Sequence, residues 1–501
     1  MMILGFIVAV LYLVFLYFKV FRGSHIWFDK DGEVKRRKPP RFWRILMTMY
    51  DFLVHTKNED RLFKLRGFHK FSPRYFRFKF WKMDYLTIYD PELAKKVFNS
   101  QITCQRPFRN CFQLEKGLLS SEYHSWKKSR KLLNGGFNLN ILKGLIPIFS
   151  HYTDIVVKEM EQHIDGKEFD LLLPLSKLTT ESISATIMNV TDVEVTDLEK
   201  LINEVAIFLD LTCKRMLYPF LEKDWIYRWT KSYKREKEAR DYAMAYGDEL
   251  IAASRKRSRK DKSLVDGNGS VIVKRDEKVE FIIDQLLNHE EKFTEEEIRD
   301  HVMTLLATSS ETTTRFVATT LLQLAINQQY QQKVYDEIID VFGDSVENID
   351  YDKLTSCRYL EMVLKEVLRL FTSVPIFQRE TTDKLDIGIG KPLEKGATII
   401  IFAYILHRRK DLWGENSETF DPENFSPEKT AERDPYCYLP FGAGPRNCIG
   451  NRFAMIAAKT EVIKLLHAYK FNTKFKDSDI KQGLSLTSRL SVDYLMSIEK
   501  R

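Results

Sequence analysis

The chain has 501 residues, 44% hydrophobic and 30% charged, enough apolar material for a substantial folded core. Its formal net charge of +8 is spread thinly, which argues against a nucleic-acid-binding stripe and suits an anionic membrane surface or an acidic protein partner. Six cysteines without CxxC spacing exclude a zinc ribbon, a thioredoxin-type motif and, at this length, a disulfide framework.

Residues 2–18, MILGFIVAVLYLVFLYF, carry no charged side chain. A bilayer core takes about 20 apolar residues, so this run is near the lower limit, with Lys19 placed to snorkel to the headgroups. Arg22, Lys30 and KRRK at 35–38 follow, a flank that the positive-inside rule keeps in the cytosol. A cleaved secretory signal calls for a basic region before the run and a small-residue site after it, and neither is there. Residues 1–22 therefore read as an uncleaved transmembrane signal-anchor, and 23–45, with Pro39 and Pro40, as a stiff basic linker.

Further along, 77–83 and 85–89 look like short strands, and Asp90 with Pro91 opens a helix. Residues 121–165 and 175–252 are mostly helical in period. The stretch 254–278 is basic, glycine-containing and poor in core residues; it reads as a flexible solvated loop rather than a nuclear signal. A long helix begins at 294, where Thr294 and Glu297 have capping-box spacing and Phe293 and Ile298 staple spacing, and it runs to 326. Short strands near 397–405 and in the C-terminal tail complete a mainly α fold with a minor β component.

FGAGPRNCIG at 441–450 sets one cysteine, Cys448, in a glycine-broken loop. A lone cysteine in a large enzyme is usually inert core. Here Gly444 and Gly450 permit unusual backbone angles and close approach by a flat group. Residues 451–466 read as a helix, so Cys448 stands just before an N-terminus that favours a thiolate. Such a cysteine is a candidate axial ligand of haem iron.

The loop matches the pattern FxxGxxxCxG, and the chain resembles the cytochrome P-450 superfamily throughout its length after the anchor. The resemblance implies a cytochrome P-450 catalytic domain over 46–501. It also implies heme b (iron-protoporphyrin IX) ligated by Cys448, with Phe441 covering the sulfur and Gly450 letting the backbone approach. EVLR at 366–369 is similar to the helical ExxR element, which implies a buried Glu366–Arg369 pair supporting the loop. FDPENF at 420–425 resembles the meander, but Asn424 replaces the superfamily's arginine, so amide hydrogen bonds are expected to complete the network. WKKSR at 126–130 implies that Trp126 and Arg130 touch a haem propionate, with Arg379 and Arg446 as further partners. Three arginines facing two carboxylates suit a buried dianion. TSSETT at 308–313 resembles the oxygen-side motif, with Glu311 and Thr312 as the acid–alcohol pair that delivers protons. Ser309 replaces a glycine there, and water is expected beside the hydroxyls.

Residues 117–142 and the wording DPENF look like microsomal family-4 members, the latter in an insect-like form. Some members of that group attach haem through a glutamate where this chain has Thr308, so the expected haem is non-covalent apart from the Cys448 thiolate. The implied activity is insertion of one oxygen atom from O2 into a lipophilic substrate that is fatty-acid-like, hormone-like or xenobiotic. Electrons would come from an NADPH-cytochrome reductase, with a cytochrome b-type protein as another donor, at the endoplasmic reticulum membrane and on its cytosolic side. Lys127, Lys128, Lys131 and Lys459 are candidates to dock that reductase. Two alternatives stand: a haem-thiolate isomerase or dehydratase, which the Glu311–Thr312 pair argues against, and a non-catalytic haem-binding protein, which Ser309 and Asn424 encourage.

Overall fold

The computed structural model describes Leu62 and residues 74–80, 83–190, 197–256, 263–265, 271–274, 281–289, 292–487 and 489–501. The chain divides into residues 1–57 and 58–501, and the fold set out below belongs to the second. The anchor at 1–22 and the linker at 23–45 lie outside the described residues. Among those residues no helix is long and apolar enough to cross a membrane.

Two antiparallel strands come first, β1 Tyr75–Phe80 and β2 Met83–Ile88, shifted slightly from the expected 77–83 and 85–89. They join β3 Ile376–Glu380 and β4 Thr398–Phe402 in one sheet of order β1-β2-β4-β3. The β2–β4 pairing is parallel and sets Leu86 opposite Ile399 and Ile88 opposite Ile401, all fully buried. Against them packs α1, Pro91–Asn99, through Leu93, Val97 and Phe98. Its cap is as the sequence suggests: the Asp90 carboxylate accepts the Leu93 N–H at 3.0 Å.

Helices make most of the rest: α2 Tyr123–Leu133, α3 Leu139–Met160, α4 Leu172–Met188, α5 Leu198–Leu217, α6 Lys231–Lys256, α7 Glu295–Ile326, α8 Gln328–Phe342, α9 Arg358–Leu370 and α10 Asn451–Ala468, with a small sheet of Phe169–Asp170, Leu495–Lys500 and Tyr469–Asn472 that includes the expected C-terminal strand. The 32-residue α7 starts on a complete capping box. Glu297 N–H reaches the Thr294 hydroxyl at 3.2 Å, and Thr294 N–H reaches the Glu297 carboxylate at 2.8 Å. Its centre is buried against α4, α6, α9 and α10, a burial that a helix of this length requires to be stable. The segment 254–278 is not loop throughout. The helix α6 continues to Lys256, and Ser263–Val265 pairs antiparallel with Val271–Lys274. The apolar triplet VIV at 271–273 supplies the β propensity that the basic composition hides.

In α10, Phe453 meets the Phe149 ring of α3 edge-on at 5.2 Å, and the same helix holds a fully buried acid. Neither oxygen of Glu461 has a hydrogen-bond partner, and burial pushes its carboxyl from 4.5 up to about 8. An acid whose pKa is raised on folding stabilises most below its unfolded value. Stability is then lost as pH rises from 4.5 to about 8, at about 1.4 kcal/mol per pH unit. Glu461→Gln should match wild type in denaturant unfolding near pH 5 and exceed it by a few kcal/mol near pH 8; equal pH dependence would show that Glu461 ionises freely in the fold.

Candidate functional site

The loop before α10 owes its shape to two glycines in the left-handed region, Gly442 at φ 67° and Gly444 at φ 70°. At Gly444 an added methyl would lie 1.9 Å from the Phe98 carbonyl oxygen of α1, so only glycine lets loop and helix touch. Gly450 differs from expectation: its φ is −90°, open to any residue, and it serves as the N-cap of α10. The Cys448 N–H closes the loop on the Phe441 carbonyl at 2.9 Å. Cys448 is the one cysteine with an exposed side chain, yet surrounding protein desolvates it, as for a sulfur facing an interior space. Burial pushes its thiol up, against the Gly450 N–H and the charges of Arg130 and Arg106.

Four guanidiniums gather beside the loop. Arg130, on α2, donates to the carbonyl and side-chain oxygens of Asn447 at 2.8 and 2.9 Å, gripping the residue before Cys448. Arg446, 4% exposed, donates to the Ser121 carbonyl at 2.8 Å, and its Nε has no partner. Arg379, on β3 and 2% exposed, points one nitrogen at the Arg446 carbonyl from 3.5 Å. Arg106 joins them, its Nε also buried and unpartnered. Burial and then mutual repulsion push Arg446 down to about 8, and Arg379 down to about 9. Burial alone leads the fall of Arg106 to about 10. Two orphaned Nε–H donors in a buried cationic cluster fit a dianionic group such as the two propionates of haem. The Trp126 indole face lies under the Arg446 guanidinium at 4.4 Å and supports that arginine.

The network around Glu366 is completed by amide hydrogen bonds, as expected where Asn424 replaces an arginine. Glu366 and Arg369 are both fully buried and pair at 2.7 Å. The Asn424 amide donates to Glu366 at 3.1 Å and the Asp421 N–H at 2.9 Å.

On α7, the acid and the alcohol take different partners. One residue turns a helix by roughly 100°. Glu311 lines a cavity of 260 Å³ between α4, α5, α6 and α7, and Thr312 does not. One Glu311 oxygen meets Arg315 at 3.1 Å and Arg489 at 3.6 Å, while the other is buried without a partner. The hydroxyls expected to need water return to their own helix instead. Thr308, Ser309, Ser310 and Thr312 donate to the carbonyls four residues back at 2.6, 2.5, 2.9 and 2.7 Å. Lys459 is likewise no docking cation: it is buried and paired with Glu361 at 3.0 Å.

Sequence reasoning missed Arg106, Arg489 and Gly442. The arginines lie outside every motif, so residue order gave no signal for either. Gly442 was legible as the other glycine before the cysteine.

Residues 38–492 match the family model described as Cytochrome P450. The chain is 30% identical over 425 residues to Cytochrome P450 4V2 of Rattus norvegicus, across 83% of this chain and 80% of that one. It is 28% identical to Cytochrome P450 4c21 of Blattella germanica over 90% of each chain, and 28% identical to Cytochrome P450 4g1 of Drosophila melanogaster over 77% and 74%.

Gly444→Ala should cost more than about 3 kcal/mol in unfolding, because both φ and the Phe98 carbonyl oppose a methyl. Gly450→Ala, with ordinary φ and contacts no closer than 3.9 Å, should cost about 1 kcal/mol or less. Equal costs would contradict the backbone account.

Proposed function

Since this chain belongs to the cytochrome P450 family, whose members are monooxygenases that bind haem through a cysteine thiolate, we propose that Cys448 is its axial ligand. Arg106, Arg130, Arg379 and Arg446 hold the two propionates. The observation that carries this reading is the guanidinium cluster itself: buried, mutually repelling and short of hydrogen-bond acceptors, right beside the cysteine loop. Haem, when bound, supplies the activation of dioxygen. The chain's residues do the rest. The Gly450 N–H, Arg130 and Arg106 favour the thiolate form of Cys448. Phe441 anchors the loop through its carbonyl, and its ring is the candidate cover for the sulfur. Glu311 is the candidate acid, its unpartnered oxygen being the atom that takes and releases a proton. Thr312 is the candidate hydroxyl and joins a proton path by exchanging its bond to the Thr308 carbonyl.

The finer reading adds a lipophilic substrate, electrons from an NADPH-cytochrome reductase or a cytochrome b-type donor, and non-covalent heme b, the last supported by Thr308. The uncharged run at 2–18 and its basic flank support an anchor at 1–22, a linker at 23–45 and a catalytic domain at 46–501 facing the cytosol from the endoplasmic reticulum membrane.

Cys448→Ala should abolish the thiolate spectrum of the reduced, carbon-monoxide-bound protein, and substrate-dependent NADPH consumption should appear with a supplied reductase. Turnover without NADPH would mark an isomerase or dehydratase instead, and haem binding with no turnover of any lipophile would mark a binding protein.

A further inference from the structure

We propose that His407 is a positioning residue for the cysteine loop, carrying the placement of the buried Glu366–Arg369 pair to Leu439, where that loop begins. His407 is fully buried and follows the helical turn Ala403–Leu406. Its Nδ1 lies 3.1 Å from the Arg369 carbonyl, which only accepts, so Nδ1 carries the proton. Its Nε2 lies 2.8 Å from the Leu439 amide nitrogen, which only donates, so Nε2 is bare. The partners on each edge thus select one tautomer. Arg369 answers from its own side by donating to the His407 carbonyl at 2.7 Å. The two residues clasp each other in both directions, and the imidazole hands the fixed position on.

From there the path is short. Tyr438, next to Leu439, donates its hydroxyl to the Lys365 carbonyl of α9 at 3.0 Å, and its ring lies 5.4 Å from the imidazole. Leu439 and the residue before it are therefore both tied to α9, Tyr438 directly and Leu439 through His407. Within the loop, Gly442 N–H reaches the Leu439 carbonyl at 3.2 Å and Cys448 N–H reaches the Phe441 carbonyl at 2.9 Å. Burial and the neighbouring Arg408 and Arg369 charges push His407 down to about 3, which keeps Nε2 an acceptor at ordinary pH.

The consequence for iron ligation rests on Cys448 being the ligand; the relay itself does not. His407→Phe keeps the volume and removes the acceptor, whereas His407→Gln offers an amide oxygen near the Nε2 position. In the full-length resting enzyme, hydrogen exchange at the Leu439 amide should quicken by about tenfold or more in the Phe variant, since a buried donor loses its partner. The thiolate share of the reduced, carbon-monoxide-bound spectrum should fall with it. The Gln variant should stay within about threefold of wild type in exchange. Slow exchange in both variants, or fast exchange with Gln and slow with Phe, overturns the proposal, the latter because it marks simple space-filling. If the Phe protein does not accumulate, the Gln variant decides alone, fast exchange at Leu439 being the overturning result. Cys448→Ala should leave that exchange slow, so failure of the ligand assignment and failure of the relay show in different measurements.

Discussion

The pair Glu366–Arg369 is the constraint on which the site depends. An ion pair with no exposure at either partner is tolerable only when its remaining lone pairs and protons are also bonded, because desolvation costs several kcal/mol per ion. Here they are bonded throughout. The carboxylate takes both edges of the arginine, the Asp421 N–H and the Asn424 amide, and the guanidinium also gives to the carbonyls of His407, Ser417 and Thr419. Satisfying one pair therefore draws two distant stretches of chain, His407 and residues 417–424, onto α9. Asn424 does this without adding a charge. The nearby Arg433 meets it through its backbone carbonyl at 2.9 Å and lies 3.8 Å above the Trp413 ring, which also packs against Arg369.

On the other side of the cysteine loop the electrostatics are reversed. Arg379 and Arg446 are buried and Arg106 is half-buried beside them, with one sign only, and their lowered pKa values record burial and mutual repulsion. One cluster is balanced within the protein and fixes geometry; the other is balanced only when an anionic group sits among its charges. Cys448 lies between the two, held by a loop that begins at the balanced cluster and passes through Arg446 of the unbalanced one.

Much of this was legible in residue order. Motifs encode what must be local: the capping box at Thr294 and Glu297, the one-turn spacing of Glu366 and Arg369, and the glycines before Cys448. They say little about which way a side chain faces once neighbours compete for it. Glu311 and Thr312 read as one functional pair because they match the oxygen-side motif, and on α7 they take different partners: Glu311 meets Arg315, and the Thr312 hydroxyl returns to the Thr308 carbonyl. Lys459 read as a surface cation, yet α10 turns it inward to Glu361. Gly450 read as a conformational necessity, yet φ shows the need to be at Gly442 and Gly444.

The amino-acid sequence alone determined the mainly helical class, the one-turn spacing of Glu366 and Arg369 and the family, because each is written in residue type and short spacing. Tertiary structure alone decided that Arg106 completes the guanidinium cluster, that Trp126 supports Arg446, and that His407 links α9 to Leu439. These contacts join residues tens to hundreds of positions apart, and such neighbours are chosen by the packing of whole elements and by the demand that every buried polar group find a partner.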